Sequence, residues 1–113
     1  MRSKISSLSK SEDFKNILNG KKISNPYTII FFKKLSSKSN KLLNVSFVTK
    51  RKIGNAVKRN RIKRRLRNIV NDAIKTINLN LNYSYLFIAK KNIYYAEYKL
   101  IKNSIFKDLS KVQ

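Results

Sequence analysis

The chain contains no cysteine and no histidine. Without cysteine there is no disulfide framework, no thiol nucleophile and no thiolate metal site. Without histidine the commonest general base and the commonest metal ligand are missing. Acids are nearly as scarce: the five are Glu12, Asp13, Asp72, Glu97 and Asp108. They are scattered, apart from the adjacent Glu12–Asp13, which argues against a self-contained hydrolase or a carboxylate metal site. No apolar run approaches the ~20 residues of a membrane span. The opening residues MRSKISSLSKSEDF lack the apolar core of a secretory signal. These absences lead us to expect a cytoplasmic chain with no catalytic group, metal or membrane partner of its own.

What is present is positive charge. Against five acids stand 27 Lys and Arg, a formal net charge of +22 on 113 residues, of which 42% are hydrophobic. That apolar share is enough for the core of one small domain. Folding a chain so charged works against self-repulsion, so the charge points to a polyanionic partner. AT-rich codons, which favour Lys, Asn and Ile, would explain some of the 20 lysines. They do not explain the arginines. Six of the seven (Arg51, Arg59, Arg61, Arg64, Arg65 and Arg67) fall between 51 and 67. Such concentration suits planar guanidinium forks on phosphates or bases.

Local patterns give the elements. Ser9-Lys10-Ser11-Glu12 has the spacing of a capping box, and Phe14, Ile17 and Leu18 share one helical face, so a first helix is expected at about 10–19, with Gly20 as its stop. After Pro26, the run Tyr27–Phe32 reads as a strand covered on both faces. Lys33–Lys41 is a polar, Ser-rich loop. Leu43, Val45 and Phe47 alternate with Asn44 and Ser46, a strand with one buried face and one face open to a ligand. Asn55 is placed to cap a helix. Ile62, Leu66, Ile69, Val70, Ala73, Ile74 and Ile77 then trace an amphipathic helix over about 56–77. Tyr83–Ala89 reads as a third strand, and Tyr98, Ile101, Ile105 and Leu109 mark a last helix over about 95–111. The order is α-β-β-α-β-α, with room for a short strand near 21–25.

The segment Lys50–Arg67 holds ten basic residues and no acid. At ~100° per residue, Arg61, Arg64 and Arg65 point away from the apolar stripe, Lys63 and Arg67 flank it, and Asn60 lies among them. A basic helix face is ordinarily just a solvated surface. Here no acidic i±4 partners balance it, and the helix N-terminus after Gly54-Asn55 adds N–H groups suited to phosphate. A basic helix beside an open strand face with aromatics reads as an RNA-binding surface.

The run KRKIGNAVKRNRIKRRLRN resembles the signature of the protein component of bacterial ribonuclease P, a basic K-[KR]-x-G-x-A-V-x-R-N-R-x-[KR]-R stretch at a strand-to-helix junction. Glu12-Asp13-Phe14 upstream and Ile88-Ala89-Lys90-Lys91 downstream also match, so the similarity covers about 8–108. The resemblance implies a small α/β sandwich of the α+β kind, like the second domain of ribosomal protein S5, with a left-handed crossover between parallel strands. It implies one RNA-binding domain over 1–113 with an ordered core of about 8–110. It also implies an auxiliary role. The protein would bind a large catalytic RNA and the 5′ leader of precursor tRNA. The RNA would hold the Mg²⁺ and perform the cleavage, with no cofactor on the protein and no protein partner.

On that resemblance Arg59, Asn60 and Arg61 match the RNA-contacting core, and Lys52, Lys63, Arg64, Arg65 and Arg67 match its basic surroundings. Phe14 corresponds to an aromatic of a leader-binding cleft, with Asn44 and Ser46 on the strand face that would line it. Where family members often carry a second aromatic, this chain has Leu18, and Tyr27, Phe31 or Phe32 would have to substitute. Tyr83, Tyr85, Tyr94, Tyr95 and Tyr98 read as half-buried phenols without an RNA role. Lys33-Lys34 and Lys90-Lys91 read as solvated strand ends. The rival binding modules are a ribosomal or RNA-chaperone protein and a helix-turn-helix DNA reader. The latter lacks the short helix and tight turn it would need before Asn55.

Overall fold

The computed structural model describes residues 5–7, 17–34, 43–77 and 83–112, and for 5–7, 43 and 44 the backbone alone. Five strands form one sheet: β1 (Ile5–Ser7), β2 (Lys21–Ser24), β3 (Thr28–Lys34), β4 (Leu43–Val48) and β5 (Tyr83–Ala89), in the order β1-β4-β5-β3-β2. β4 runs parallel to both β1 and β5, while β3 is antiparallel to β5 and β2. Helix α1 (Ala56–Thr76) connects the parallel neighbours β4 and β5, and α2 (Tyr98–Leu109) follows β5. Arg51–Ile53 and Lys91–Tyr95 form short 3₁₀ turns.

Register decides which side chains share a face. Ile30 and Phe32 of β3 lie beside Phe87 and Tyr85 of β5, which in turn lie beside Phe47 and Val45 of β4. Onto this face pack Ile62, Leu66, Ile69, Val70 and Ala73 of α1, with Ile101, Ile105 and Leu109 of α2. The α1 positions are the helical stripe of the sequence. Burying its four large members contributes roughly 6–12 kcal/mol of transfer free energy, an upper bound because the unfolded chain already hides part of this surface. Tyr85 carries its phenol into this core, and burial, with Tyr83 nearby, pushes its ionisation well above the usual tyrosine range.

The opposite face of the sheet is less completely covered. Leu86 points to it and is buried, and Ile17 is buried outside the main core. On β3, however, the buried residues are Thr28, Ile30 and Phe32, while Ile29 and Phe31 are half-buried. The apolar run 27–32 is therefore sealed on one face, not on both as its composition suggests. Both α1 and α2 pack on the face of Ile30 and Phe32, which leaves Ile29 and Phe31 on the opposite face partly exposed.

Two expectations of element order and bounds are corrected. β1 has no sequence pattern of its own; its pairing with β4 defines it. The last helix begins at Tyr98 rather than near 95 and ends at Leu109. Lys90 N–H donates to the Tyr27 carbonyl at 2.8 Å and Ile93 is buried, so the chain leaving β5 is held in a 3₁₀ turn. Ala96 and Glu97 are then extended, which delays the helix. Gly20 ends the helical stretch as expected, its N–H donating to the Ile17 carbonyl at 3.0 Å. It is there for space, because a Cβ would sit 2.5 Å from the Phe32 carbonyl oxygen. Of the expected first helix, Ile17 and Leu18 are helical and Asn19 turns; the Ser9–Glu12 capping box and Phe14 lie outside the described residues.

The turn from β2 into β3 is locked by Asn25. Its Oδ1 accepts from the backbone N–H groups of Tyr27 and Thr28, both at 2.8 Å. Its Nδ2 donates to Thr28 Oγ1 and to Asp108 Oδ2, both at 2.9 Å. Asp108 is itself buried near the end of α2, so this polar knot ties one edge of the sheet to the last helix.

Candidate nucleic-acid interface

The basic segment begins where β4 ends. Thr49 and Lys50 lead into the 3₁₀ turn Arg51–Ile53, where Arg51 and Lys52 are exposed. Asn55 then caps α1, its Oδ1 accepting from Lys58 N–H at 3.0 Å, which satisfies one of the free donors at the helix start. The cap fixes the helical phase. Ile62 and Leu66 go to the core, and Asn60, Arg61, Lys63, Arg64 and Arg67 go to solvent. Arg65 is half-buried rather than fully outward. Arg59 is also half-buried, and its Nε is enclosed without a hydrogen-bond partner.

Neighbours fix two of these side chains. Arg61 Nη1 donates to the Tyr94 hydroxyl at 3.5 Å, the long end of the hydrogen-bond range. The Arg67 guanidinium lies 5.9 Å from the Phe47 ring centroid, so its stem runs back over β4. No acid among the described residues pairs with the cluster. Among the described residues the ion pair is Lys102 with Asp72, at 3.2 Å, beyond the basic stretch of α1. The outward face of α1 therefore presents Arg61, Lys63, Arg64 and Arg67 as uncompensated cations, with the Asn60 amide between them. Such a face can bind a polyanion through several phosphates at once.

The expected cleft is brought together only in part. Ser46 is half-exposed, and its register with Leu86 puts it on the sheet face opposite Val45 and Phe47, which pack with α1. The sheet thus separates Ser46 from the core side of α1. Phe14 and the Asn44 side chain lie outside the described residues. Leu18 is exposed, and Phe31 and Tyr27 are half-buried while Phe32 is in the core. Lys33, Lys34 and Lys91 are exposed as expected, but Lys90 donates to Ser24 Oγ at 2.7 Å. Tyr95 departs furthest from the half-buried state expected of these phenols, at 79% exposed. Its signal was available in the doublet Tyr94-Tyr95 ahead of the true helix start.

Among the described residues no three His, Cys, Asp or Glu side chains cluster as metal ligands, and no helix is long and apolar enough to cross a membrane.

Comparison with known proteins agrees with this geometry. A family model described as Ribonuclease P matches residues 3–113. The ribonuclease P protein component of Fusobacterium nucleatum is 36% identical over 113 residues, covering 96% of this chain and 94% of the relative. That of Caldanaerobacter subterraneus is 31% identical over 114 residues, covering 98% and 92%. Among solved structures, the ribonuclease P protein of Thermotoga maritima superposes with a TM-score of 0.81 at 22% identity, covering 96% of this chain and 98% of that one. The Staphylococcus aureus protein gives 0.77 at 22% identity, covering 94% and 93%. The structural likenesses establish the fold, and the family model and close relatives establish the rest: the chain belongs to the ribonuclease P protein family, subunits of an endoribonuclease holoenzyme.

Proposed function

We propose that this chain binds the catalytic RNA of ribonuclease P through the outward face of α1 and assists removal of the 5′ leader from precursor tRNA. The observation that carries the reading is the uncompensated set Arg61, Lys63, Arg64 and Arg67 on one helix face, with Lys52 and Asn60 exposed beside it. Arg59 and Arg65 support the same face from half-buried positions. The cleavage chemistry is assigned to the RNA and its Mg²⁺, and the protein alone is inactive. Without histidine or cysteine in the chain, its side chains offer neither the commonest general base nor a thiol nucleophile. The leader is assigned to the sheet face that carries Ser46 and Asn44, together with Phe14. A cytoplasmic location belongs to the same reading.

The test is the salt dependence of binding to ribonuclease P RNA. About 5–8 phosphate contacts give a log–log slope of roughly −4 to −7. A slope of about −1 or smaller in magnitude would remove the electrostatic basis of the proposal.

A further inference from the structure

Beside the start of α1 stands an aromatic pair that the basic cluster itself holds in place. Lys58 Nζ lies 5.0 Å from the Tyr94 ring centroid, and Arg61 Nη1 donates to the Tyr94 hydroxyl. Tyr94 is half-buried and so is fixed on both sides, by cations outside and by buried Ile93 before it in the 3₁₀ turn. Tyr95 meets Tyr94 edge to face, with centroids 5.2 Å apart and planes at 89°. The Tyr95 ring thus packs against Tyr94 while remaining 79% exposed, the highest exposure of any large apolar side chain among the described residues. Val57, one turn before Arg61 on α1, is also exposed at 67%. A rigidly supported aromatic ring in water, next to unpaired cations, has no role in the core.

We infer that Tyr95 is a stacking platform for an unpaired base of the RNA that α1 binds, with Tyr94 as its positioning residue. The inference rests on the RNA-binding reading of α1 and adds a contact that the charge pattern does not supply. The occupant follows from the surroundings. An apolar protein surface would bring Lys58 and Arg61 into contact without an anion. A nucleotide brings a flat π-face for Tyr95 and a phosphate for the adjacent cations. The Tyr94 contact also links the two functions, because the same Arg61 that faces phosphate braces the ring pair.

Stacking is distinguishable from charge by its salt dependence. Tyr95→Ala should raise the Kd for ribonuclease P RNA by about 5- to 150-fold at every salt concentration, leaving the log–log slope unchanged. Tyr95→Phe should retain wild-type affinity, since the ring and not the hydroxyl does the stacking. The chain has no tryptophan, so Tyr95→Trp places a single indole at the site, and its fluorescence should be quenched on adding the RNA. Because Tyr95 is exposed, the melting temperature of each variant should stay near wild type. Unchanged affinity in Tyr95→Ala, alongside weakened binding in Arg64→Ala/Arg65→Ala, would overturn the stacking role and leave the α1 reading intact. Failure of the wild-type protein to bind the RNA at all would overturn both. Concentration-dependent dimerisation abolished by Tyr95→Ala, with RNA affinity unchanged, would assign the ring to a second copy of the chain and overturn the inference.

Discussion

Replacing Asn25 with alanine tests whether one buried amide holds the sheet edge to α2. The substitution removes the one acceptor, Oδ1, of two backbone N–H bonds at 2.8 Å each, and two donated bonds at 2.9 Å, one to Thr28 Oγ1 and one to the Asp108 carboxylate. A neutral bond contributes about 1 kcal/mol net and one to a charged group about 1.5–3 kcal/mol. The bonds share one side chain and do not add fully, so the expected loss is about 3–5 kcal/mol. For a domain of this size that lowers Tm by on the order of 12–20 °C. The assay is urea denaturation followed by circular dichroism, with Asn25→Ala, Asp108→Ala and the double variant compared. The double variant should lose less than the sum of the singles, because each single leaves the other group buried without its partner. A loss below about 1 kcal/mol for Asn25→Ala, or strict additivity, would refute the idea that the knot acts as a unit.

Two further predictions concern the core and the leader surface. Tyr85 ionises with difficulty in the fold because burial raises its pKa, whereas in the unfolded chain it ionises near about pH 10. Below that pH both states keep the proton and the contribution is constant; above it the unfolded state alone releases the proton, so stability falls as pH rises. Tyr85→Phe should flatten that fall in urea midpoints measured from about pH 9 to 11, and identical slopes for the two proteins would contradict it. Phe14→Ala should weaken precursor tRNA binding by roughly 5- to 150-fold while mature tRNA, which lacks a leader, is bound as before. Equal losses for both substrates would move Phe14 into the core.

The parts of the fold legible in the sequence are those whose periodicity is long. α1 carries five core positions at helical spacing and an asparagine cap, and it forms over Ala56–Thr76 almost as the pattern dictates. β5 matches its expected bounds because it is central and nearly every residue is buried. β1 was invisible, since three residues reading Ile-Ser-Ser carry no pattern and only β4 gives them a partner. The polar knot was hidden for a different reason. Asn25 and Asp108 are separated by 83 positions, and each reads locally as an ordinary turn or surface residue.

The candidate site divides along the same line. The basic face of α1 is readable because helical geometry points Arg61 and Arg64 outward and sets Lys63 and Arg67 beside the apolar stripe, and all four are exposed, as is Asn60. Arg65 and Arg59 were harder, because their burial depends on neighbouring elements. Helical spacing alone carries the last helix back to about 95 and so hides the exposure of Tyr95. The extended pair Ala96–Glu97 instead leaves it on a separate 3₁₀ turn against α1. The cleft expected from Ser46 and the basic helix assumed that strand and helix faces converge, whereas the register of β4 with β5 turns Ser46 away from α1.

The role proposed for this chain is to assist an RNA that does the cutting. Its most direct test is precursor tRNA cleavage at low Mg²⁺, measured with ribonuclease P RNA alone, with the RNA and this protein together, and with the protein alone. The account predicts slow cleavage by the RNA, a marked acceleration when the protein is added, and none by the protein at any Mg²⁺ concentration. Leader removal by the protein without RNA, or no acceleration of the RNA by the protein, would contradict it.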